Sequence, residues 1–352
     1  MLDKNAKIYI PGHTGLVGSA ILRHLKDKGY TNFILYSIDE LDLKRQDAVE
    51  RLFENDKPEY VILAAAKVGG IVANSTYKAE FIYDNIMIAA NIINSSYKFG
   101  VKKLLNLGSS CIYPKFAEQP LKEEFLLTGA LEQTNEAYAI AKIAAIKLCR
   151  YYNEQYGTDF VSVMPTNLYG ANDNYNLETS HVLPALIRKM ILAKYIYEND
   201  EKAFINDVNK ISIGFGINYN IESLTDIIQA LKTIGIEKDF VKIWGSGNAF
   251  REFLHVDDMA EASIYVLENL SYKDIGEFIN IGTGNDITIK DLAYLVKEIV
   301  GFKGKLEFDT TKPEGTPKKQ LDVSRLKKLG WSPKVTLSDG IKKVVDNYYS
   351  QF

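Results

Sequence analysis

Cysteine and histidine are scarce in this chain of 352 residues, with two of the first and four of the second. Cys111 and Cys149 cannot make a disulfide framework, and with no Cys or His at ligand spacing beside them they predict no metal site, so reduced thiols are expected. An excess of either charge is also missing. Lys and Arg total 42 against 45 Asp and Glu, a net charge of −3. That balance offers no basic footprint for duplex nucleic acid or an anionic membrane, so any anionic ligand must be held by local groups. Long apolar runs are absent: none approaches the roughly 20 residues of a spanning helix, and the opening MLDKNAKIYI enters a strand pattern without a signal-peptide core. The expectation is a cytoplasmic protein with no nucleic-acid or membrane partner. Internal repeats and low-complexity stretches are lacking too. What is present is 46% hydrophobic residues, enough for a large core.

Short β-branched runs alternate with helical patterns through the first half. Ile8-Tyr9-Ile10 precedes a helix near 16–28, and Phe33-Ile34-Leu35-Tyr36 one near 45–54. Tyr60-Val61-Ile62-Leu63 and Lys103-Leu104-Leu105-Asn106-Leu107 continue the series, and a helix near 136–155 leads to Phe160-Val161-Ser162-Val163. This rhythm predicts an α/β fold, a doubly wound parallel sheet. After Gly170 it breaks at GANDNYN, so a first domain is expected over 1–171 and a smaller C-terminal α/β domain over 172–352, with some segments returning to the first. Residues 195–240 stand apart as an insertion. There NIESLTDIIQALKTIG carries apolar residues at 221, 224, 227, 228, 231 and 234, a cap at Asn220 or Ser223, and a stop at Gly235. The pattern reads as an amphipathic helix, a surface decoration or subunit contact more than a substrate lid.

The first chemical signal follows the first strand: Gly12-His13-Thr14-Gly15-Leu16-Val17-Gly18. Glycines here allow a tight turn and a close backbone approach to a pyrophosphate, while the next helix offers unpaired N–H groups and the positive end of its dipole. Such a loop also serves helix-strand packing alone. Its place directly after strand one favours a dinucleotide. The second signal is YAIAK, in which Tyr138 and Lys142 lie four apart on one helix face. A free tyrosine titrates near pH 10, so the ammonium is expected to loosen the phenol proton. An isolated pair at that spacing is usually a solvated face. This pair has Ser109 at the end of the preceding strand, where the carboxyl edge of a parallel sheet gathers ligand groups.

Glycine loop, strand-end serine and Tyr-x-x-x-Lys helix, in that order, resemble the extended short-chain dehydrogenase/reductases. The resemblance implies a Rossmann-type NAD(P)-binding domain over 1–171, a substrate domain over most of 172–352, and hydride exchange with a carbonyl or alcohol, Ser109 holding the oxygen and Tyr138 passing the proton. Longer phrases narrow it. LAAAKVGGIVANSTY (63–77), GSSCIYPK (108–115), YAIAKIAAIKLC (138–149), SVMPTNLYG (162–170), SHVLPALIRK (180–189), WGSG (244–247), REFLHVDDMA (251–260) and KPEGTPKK (312–319) look like those of the GDP-L-fucose synthases. That family implies a homodimeric oxidoreductase of nucleotide-sugar biosynthesis for surface polysaccharide, which epimerises a GDP-4-keto-6-deoxy sugar at C3 and C5 and reduces it at C4. Cys111 and His181 match its acid and base positions. A C4 ketone acidifies both flanking carbons, so inversion needs one group to take a proton and another to return it on the opposite face. Histidine titrates near neutrality, whereas a thiol at about 8.5 needs a cationic neighbour, for which protonated His181 or Lys142 would serve. Cys149 is read as a buried small hydrophobe.

Carried over position by position, the resemblance implies dinucleotide contacts at Gly12, Thr14, Gly15, Leu16, Val17 and Gly18, at Ser37, Asp39, Asp42 and Leu43, and at Ala64, Ala65 and Ala66. Tyr138, Lys142, Pro165, Asn167, Leu168 and His181 complete that set. The sugar nucleotide would meet Ser109, Ser110, Cys111 and Asn167, with Val182, Lys189 and Trp244 at the guanine and Arg251 and Lys312 at the diphosphate. Ordinary alternatives are Trp244 in the core and Arg251 paired with Asp257 or Asp258; Asp257 is expected to cap the helix DDMAEASIYVLEN. Two departures stand out. Lys189 occupies a place where the family often has arginine, and Thr14 and Ile38 occupy places where relatives carry arginines for a 2′-phosphate. Ser37 and Thr14 can still bond a phosphate, with Lys44 or Arg45 in reach, so NADP is kept ahead of NAD, for which Asp39 would accept from a free ribose hydroxyl. The alternative activity is C4 reduction without epimerisation of a related sugar such as a GDP-keto-heptose. A non-catalytic nucleotide-binding scaffold is disfavoured by the intact Ser109, Tyr138 and Lys142.

Overall fold

The computed structural model describes residues 2–217, 220, 223–312 and 315–351. Its central sheet is built from β1 (Ile8–Tyr9), β2 (Phe33–Ile34), β3 (Tyr60–Leu63), β4 (Lys103–Leu107), β5 (Phe160–Pro165) and, from the second half of the chain, Ile279–Ile281. All neighbours pair in parallel, in the spatial order β2, β1, β3, β4, β5, Ile279–Ile281. The order reverses at β1, so a crevice opens beyond the carboxyl ends of β1 and β3. Both faces are covered, as the alternation along the strands requires. Ile8, Ile62, Leu105, Val161 and Val163 point to one face, beneath α1 (Leu16–Asp27) and the helix Val256–Asn269. Tyr9, Val61, Leu63, Leu104 and Phe160 point to the other, beneath α2 (Gln46–Asp56) and two long helices. Those are α4 (Lys78–Lys98), which follows the short α3 (Ile71–Thr76), and α5 (Glu136–Tyr156). Cys149 is buried here, and burial pushes its thiol up to about 12, as suits a small core hydrophobe. The second strand pattern, expected over 33–36, pairs only at Phe33 and Ile34.

A second core lies in the C-terminal half. It collects α6 (Val182–Glu198), α7 (Glu201–Lys210), α8 (Leu224–Thr233), the helices Ile289–Val300 and Leu337–Tyr349, and the parallel pair Phe240–Trp244 and Lys305–Asp309. A mixed three-stranded sheet, β6 (Asn167–Tyr169) beside Phe250–His255 beside Asp286–Thr288, runs along the boundary between the two cores. The expected amphipathic helix is α8, capped by Ser223, whose Oγ accepts from the Asp226 N–H at 3.3 Å. Residue 221 lies outside the described residues. The apolar face of α8 is turned inward: Ile227 and Leu231 are fully buried in the second core, with Leu224, Ile228 and Ile234 packed against it, while Thr225, Asp226, Gln229 and Lys232 are exposed. An apolar stripe that wide needs a partner surface, and the second core supplies one. Fully buried Arg188 ties this half together: it meets Asp207 at 3.0 Å and donates to the carbonyls of Tyr175 and Ser212, while the Tyr348 hydroxyl donates to the same Asp207 carboxylate. Among the described residues no helix is long and apolar enough to cross a membrane.

Candidate active site

The glycine loop sits at the crevice. Gly12 has φ +86°, and a Cβ there would lie 2.6 Å from the Ala65 nitrogen and 2.8 Å from the Ala64 carbonyl carbon. On Gly18 a Cβ would lie 2.1 Å from the Gly12 oxygen. These two glycines let the loop fold onto itself and onto the end of β3. The N-cap Gly15 is exposed. The first bond closing α1 runs from the Ser19 N–H to the Gly15 oxygen, 2.9 Å. The N–H groups of Leu16, Val17 and Gly18 therefore precede the helical ladder, and no acidic side chain occupies the first turn. His13 adds a buried Nδ1 without a partner. This is a fitting cradle for a pyrophosphate, bordered by Ala64, Ala65 and Ala66.

At the rim after β2, Ile38 is 83% exposed and Ser37 donates its N–H to Glu40 at 2.7 Å, beside Asp39. Asp42 accepts from the Lys44 N–H, and the Leu43 carbonyl accepts from Asn91. Lys44 and Arg45, read as reaching a phosphate, are engaged elsewhere: Lys44 lies 3.7 Å from Asp84 and Arg45 3.5 Å from Asp47.

Beside the crevice, the carboxyl end of β4 runs into a single 3-10 turn. Ser109 caps it by accepting the Cys111 N–H at 3.3 Å, and Ser110 is buried. Across from it α5 presents Tyr138 and Lys142 one turn apart, with the Ser109 hydroxyl close enough to Tyr138 to influence its ionisation. The charge relation differs from expectation. Lys142 donates to the Leu107 carbonyl at 2.7 Å, and its ammonium lies 5.7 Å from the centroid of the Tyr138 ring. Burial brings Lys142 down to about 8. Burial raises Tyr138 above its ordinary range, and the charge of Cys111 adds to the rise while the nearby Ser109 hydroxyl opposes it. The phenol is held protonated rather than loosened, because desolvation outweighs a cation whose nearest hydrogen bond is to a carbonyl.

Cys111 is half-buried, its sulfur accepting from Asn135 Nδ2 and Lys319 Nζ, each at 3.5 Å. The cation hydrogen-bonded to the thiol is Lys319, and Lys142, one of the two expected cations, lies within electrostatic reach of it together with Arg251. His181 is the N-cap residue of α6, its side chain making no cap bond. Desolvation by the surrounding protein lowers the pKa of the ring, and the charge of Lys319 lowers it further.

The remaining candidates spread over the C-terminal half. Asn167 donates to the Glu252 carbonyl at 2.8 Å, between Pro165 at the end of β5 and Leu168 on β6. Val182 starts α6, and Lys189, two turns further along the same face, donates to the Lys242 carbonyl at 3.2 Å, its pKa brought to about 8 by burial. Trp244 is 38% exposed, outside the core, with Phe215 beside it and the Lys312 ammonium 5.6 Å above its ring. Arg251 lies within electrostatic reach of Cys111 and donates to the Phe250 carbonyl. Asp257 instead pairs with Arg23 and, at 3.4 Å, with His24; Asp258 accepts from the N–H groups of Lys334 and Val335. Asp257 is not the cap: His255 is, its Nδ1 accepting the Asp257 N–H at 3.2 Å. Asn135, Glu252 and Lys319 were given no role from the sequence; the signals were an Asn directly before the Tyr138 helix and the places of Glu252 and Lys319 inside the phrases REFLHVDDMA and KPEGTPKK.

The model of the NAD dependent epimerase/dehydratase family matches residues 8–208 and 214–282. GDP-L-fucose synthase 1 of Arabidopsis thaliana is 52% identical over 348 residues, 99% of this chain and 94% of that protein. A GDP-6-OMe-4-keto-L-xylo-heptose reductase of C. jejuni superposes with a TM-score of 0.93 at 41% identity, over 100% of this chain and 99% of that one. A GDP-mannoheptose C4 reductase from Campylobacter jejuni, solved with NADP bound, gives 0.85 at 40% identity, over 99% and 100%.

Proposed function

We propose, for a chain that belongs to the NAD dependent epimerase/dehydratase family in its GDP-L-fucose synthase branch, an NADPH-dependent reduction of the C4 ketone of a GDP-4-keto-6-deoxy sugar, preceded by epimerisation at C3 and C5. The observation that carries this reading is the convergence of Ser109, Cys111 and Tyr138 beside the glycine crevice, with Arg251 within electrostatic reach of the same thiol. NADPH, held by the loop from Gly12 to Gly18 and by Ala64 to Ala66, supplies the hydride. Tyr138 gives its proton to the C4 oxygen while Ser109 holds that oxygen. A phenol kept protonated by burial enters this step as the acid. The Lys142 charge, 5.7 Å from the ring, steadies what the proton leaves behind. Cys111 and His181 exchange the protons at C3 and C5. Val182, Lys189 and Trp244 take the guanine end, and Arg251 and Lys312 the diphosphate.

The sheet of the first half is then the dinucleotide domain and most of 172–352 the sugar-nucleotide domain. Ser37 and Thr14 are the groups left for a 2′-phosphate, and the NADP in a relative 40% identical supports that cofactor. The protein pairs as a homodimer through α4 and α5, whose outer faces carry exposed Tyr97, Tyr151 and Tyr156. A second reading, reduction of a GDP-keto-heptose without epimerisation, is favoured by the 0.93 superposition on a heptose reductase. Turnover of a panel of GDP-4-keto sugars with NADPH in deuterated water tests both. Deuterium at C3 and C5 of the product supports the first reading, reduction without deuterium supports the second, and no nicotinamide absorbance change with any sugar overturns both.

A further inference from the structure

Two donors meet the Cys111 sulfur from distant parts of the chain, and neither is explained by its own surroundings. Asn135 is the residue before α5, a position where an asparagine side chain ordinarily accepts from the first helical N–H groups. Here it makes no cap bond. Its Nδ2 donates to the sulfur at 3.5 Å, and its Oδ1 is buried without a partner. The helix forgoes a stabilising cap and the amide turns to the thiol.

Lys319 approaches from the other side, also at 3.5 Å. Its neighbours are neutralised: Lys318 lies 3.2 Å from Asp286 and Lys115 3.6 Å from Glu132. Among the described residues no carboxylate lies within ion-pair distance of Lys319, so the sulfur is the group its ammonium serves. The chain just beyond it is pinned. The Gln320 N–H donates to Gln119 at 2.9 Å, and the Leu321 N–H donates to Glu252 Oε2 at 2.7 Å. Glu252 is fully buried with Oε1 taken by the N–H groups of Thr283 and Gly284, so a single carboxylate locks three backbone segments together. Its strand also carries Arg251, which fixes both cations relative to the thiol.

We infer that Asn135 and Lys319 form a two-donor cradle that fixes the Cys111 sulfur and stabilises negative charge on it, which makes them positioning residues for proton exchange at C3 and C5. The inference rests on the assignment of that exchange to Cys111. Other titratable groups face the same space: Tyr138 and Lys142 from α5, Arg251 from its strand, and His181 from the start of α6. All four remain in place in the variants below, so a change in the thiol reports on the cradle.

The test is the pH profile of Cys111 alkylation by iodoacetamide in the full-length protein, read at the Cys111 peptide by mass spectrometry. An opposite charge at this range typically changes an ionisation tenfold or more. Lys319→Met is expected to slow alkylation at pH 7 about tenfold and displace the profile to higher pH, Asn135→Ala to have a smaller effect in the same direction, and Lys319→Arg to restore most of the rate. Profiles of Lys319→Met and wild type that superimpose, with unchanged circular dichroism, overturn the cradle. Should Lys319→Met fail to fold, Asn135→Ala decides: its unchanged profile overturns the cradle and its displacement supports it. Deuterium uptake at C3 and C5 is measured in parallel. Its absence in wild type overturns the role of Cys111 in epimerisation, while the alkylation profile still decides the cradle, because that readout needs no substrate.

Discussion

The two ends of the cleft are built in opposite ways. At the crevice, seven consecutive residues, Gly12 to Gly18, do most of the work, and they do it with backbone: free N–H groups, a φ of +86°, and two positions where a Cβ would strike main chain. At the thiol, the working groups are side chains from five separate segments, Cys111, Asn135, His181, Arg251 and Lys319, the last two tied together by the buried carboxylate of Glu252, next to Arg251. A backbone site tolerates side-chain variety and fails on added bulk. A side-chain site tolerates small shifts of main chain and fails on changed charge.

The sharpest break in that comparison is at the joint between the two ends. Tyr138→Phe removes the proton donor without altering either wall, and NADPH oxidation with keto sugar is expected to fall on the order of 10³-fold, with NADPH binding retained in fluorescence titration. An unchanged turnover removes Tyr138 from the chemistry. Cys111→Ser touches only the thiol end: deuterium uptake at C3 and C5 should drop about 10²-fold, while a sugar already epimerised is still reduced, as product NMR would show. Gly18→Ala touches only the backbone end. Its methyl would meet the Gly12 oxygen, an overpacking of about 1–3 kcal/mol, expected as a lower thermal midpoint together with weakened NADPH binding. Retained NADPH affinity would show that the loop is a packing device alone.

The smallest effect sharpens the far end of the sugar-nucleotide half. Burial brings Lys189 to about 8, so its charge is present below that pH and lost above it. GDP affinity is expected to weaken several-fold between pH 7 and 9 by calorimetry, and Lys189→Met should flatten the dependence. Lys142 carries a linked stability sign. Its folded value of about 8 lies below the unfolded value near 10.4, so the unfolded chain binds more protons between the two, and stability should rise with pH across that window. Denaturant midpoints of wild type and Lys142→Met measure this, and a slope shared by both proteins would assign it to other groups.

Legibility in the sequence followed the same division. β3 and β4 fell where their apolar runs do, because both faces of a parallel strand are buried and the run itself is the signal. The glycine spacing, Ser109 and the Tyr138–Lys142 pair were readable because each is local. The short pairing of β2 was not, since it depends on how far the neighbouring strand extends. Nor was the place of α8, whose stripe was visible but whose burial depends on a core gathered from residues spread over the whole C-terminal half. The proximity of Lys142 to Tyr138 was legible from helical spacing, but not the desolvation that raises the phenol or the Leu107 carbonyl that the ammonium bonds.

What the sequence by itself determined is therefore the order of the elements, the glycine loop after the first strand and the local side-chain pairs proposed to react, since these follow from periodicity, from glycine's missing Cβ and from residue chemistry within a few positions. What only tertiary structure decided is the electrostatic setting of those side chains. Lys319 reaches Cys111 across 208 positions of chain, and burial, which no local pattern measures, holds the proton on Tyr138 and weakens it on Lys142. Ionisation depends on distance and desolvation in space, and both are set by the packing of segments that the chain brings together only when folded.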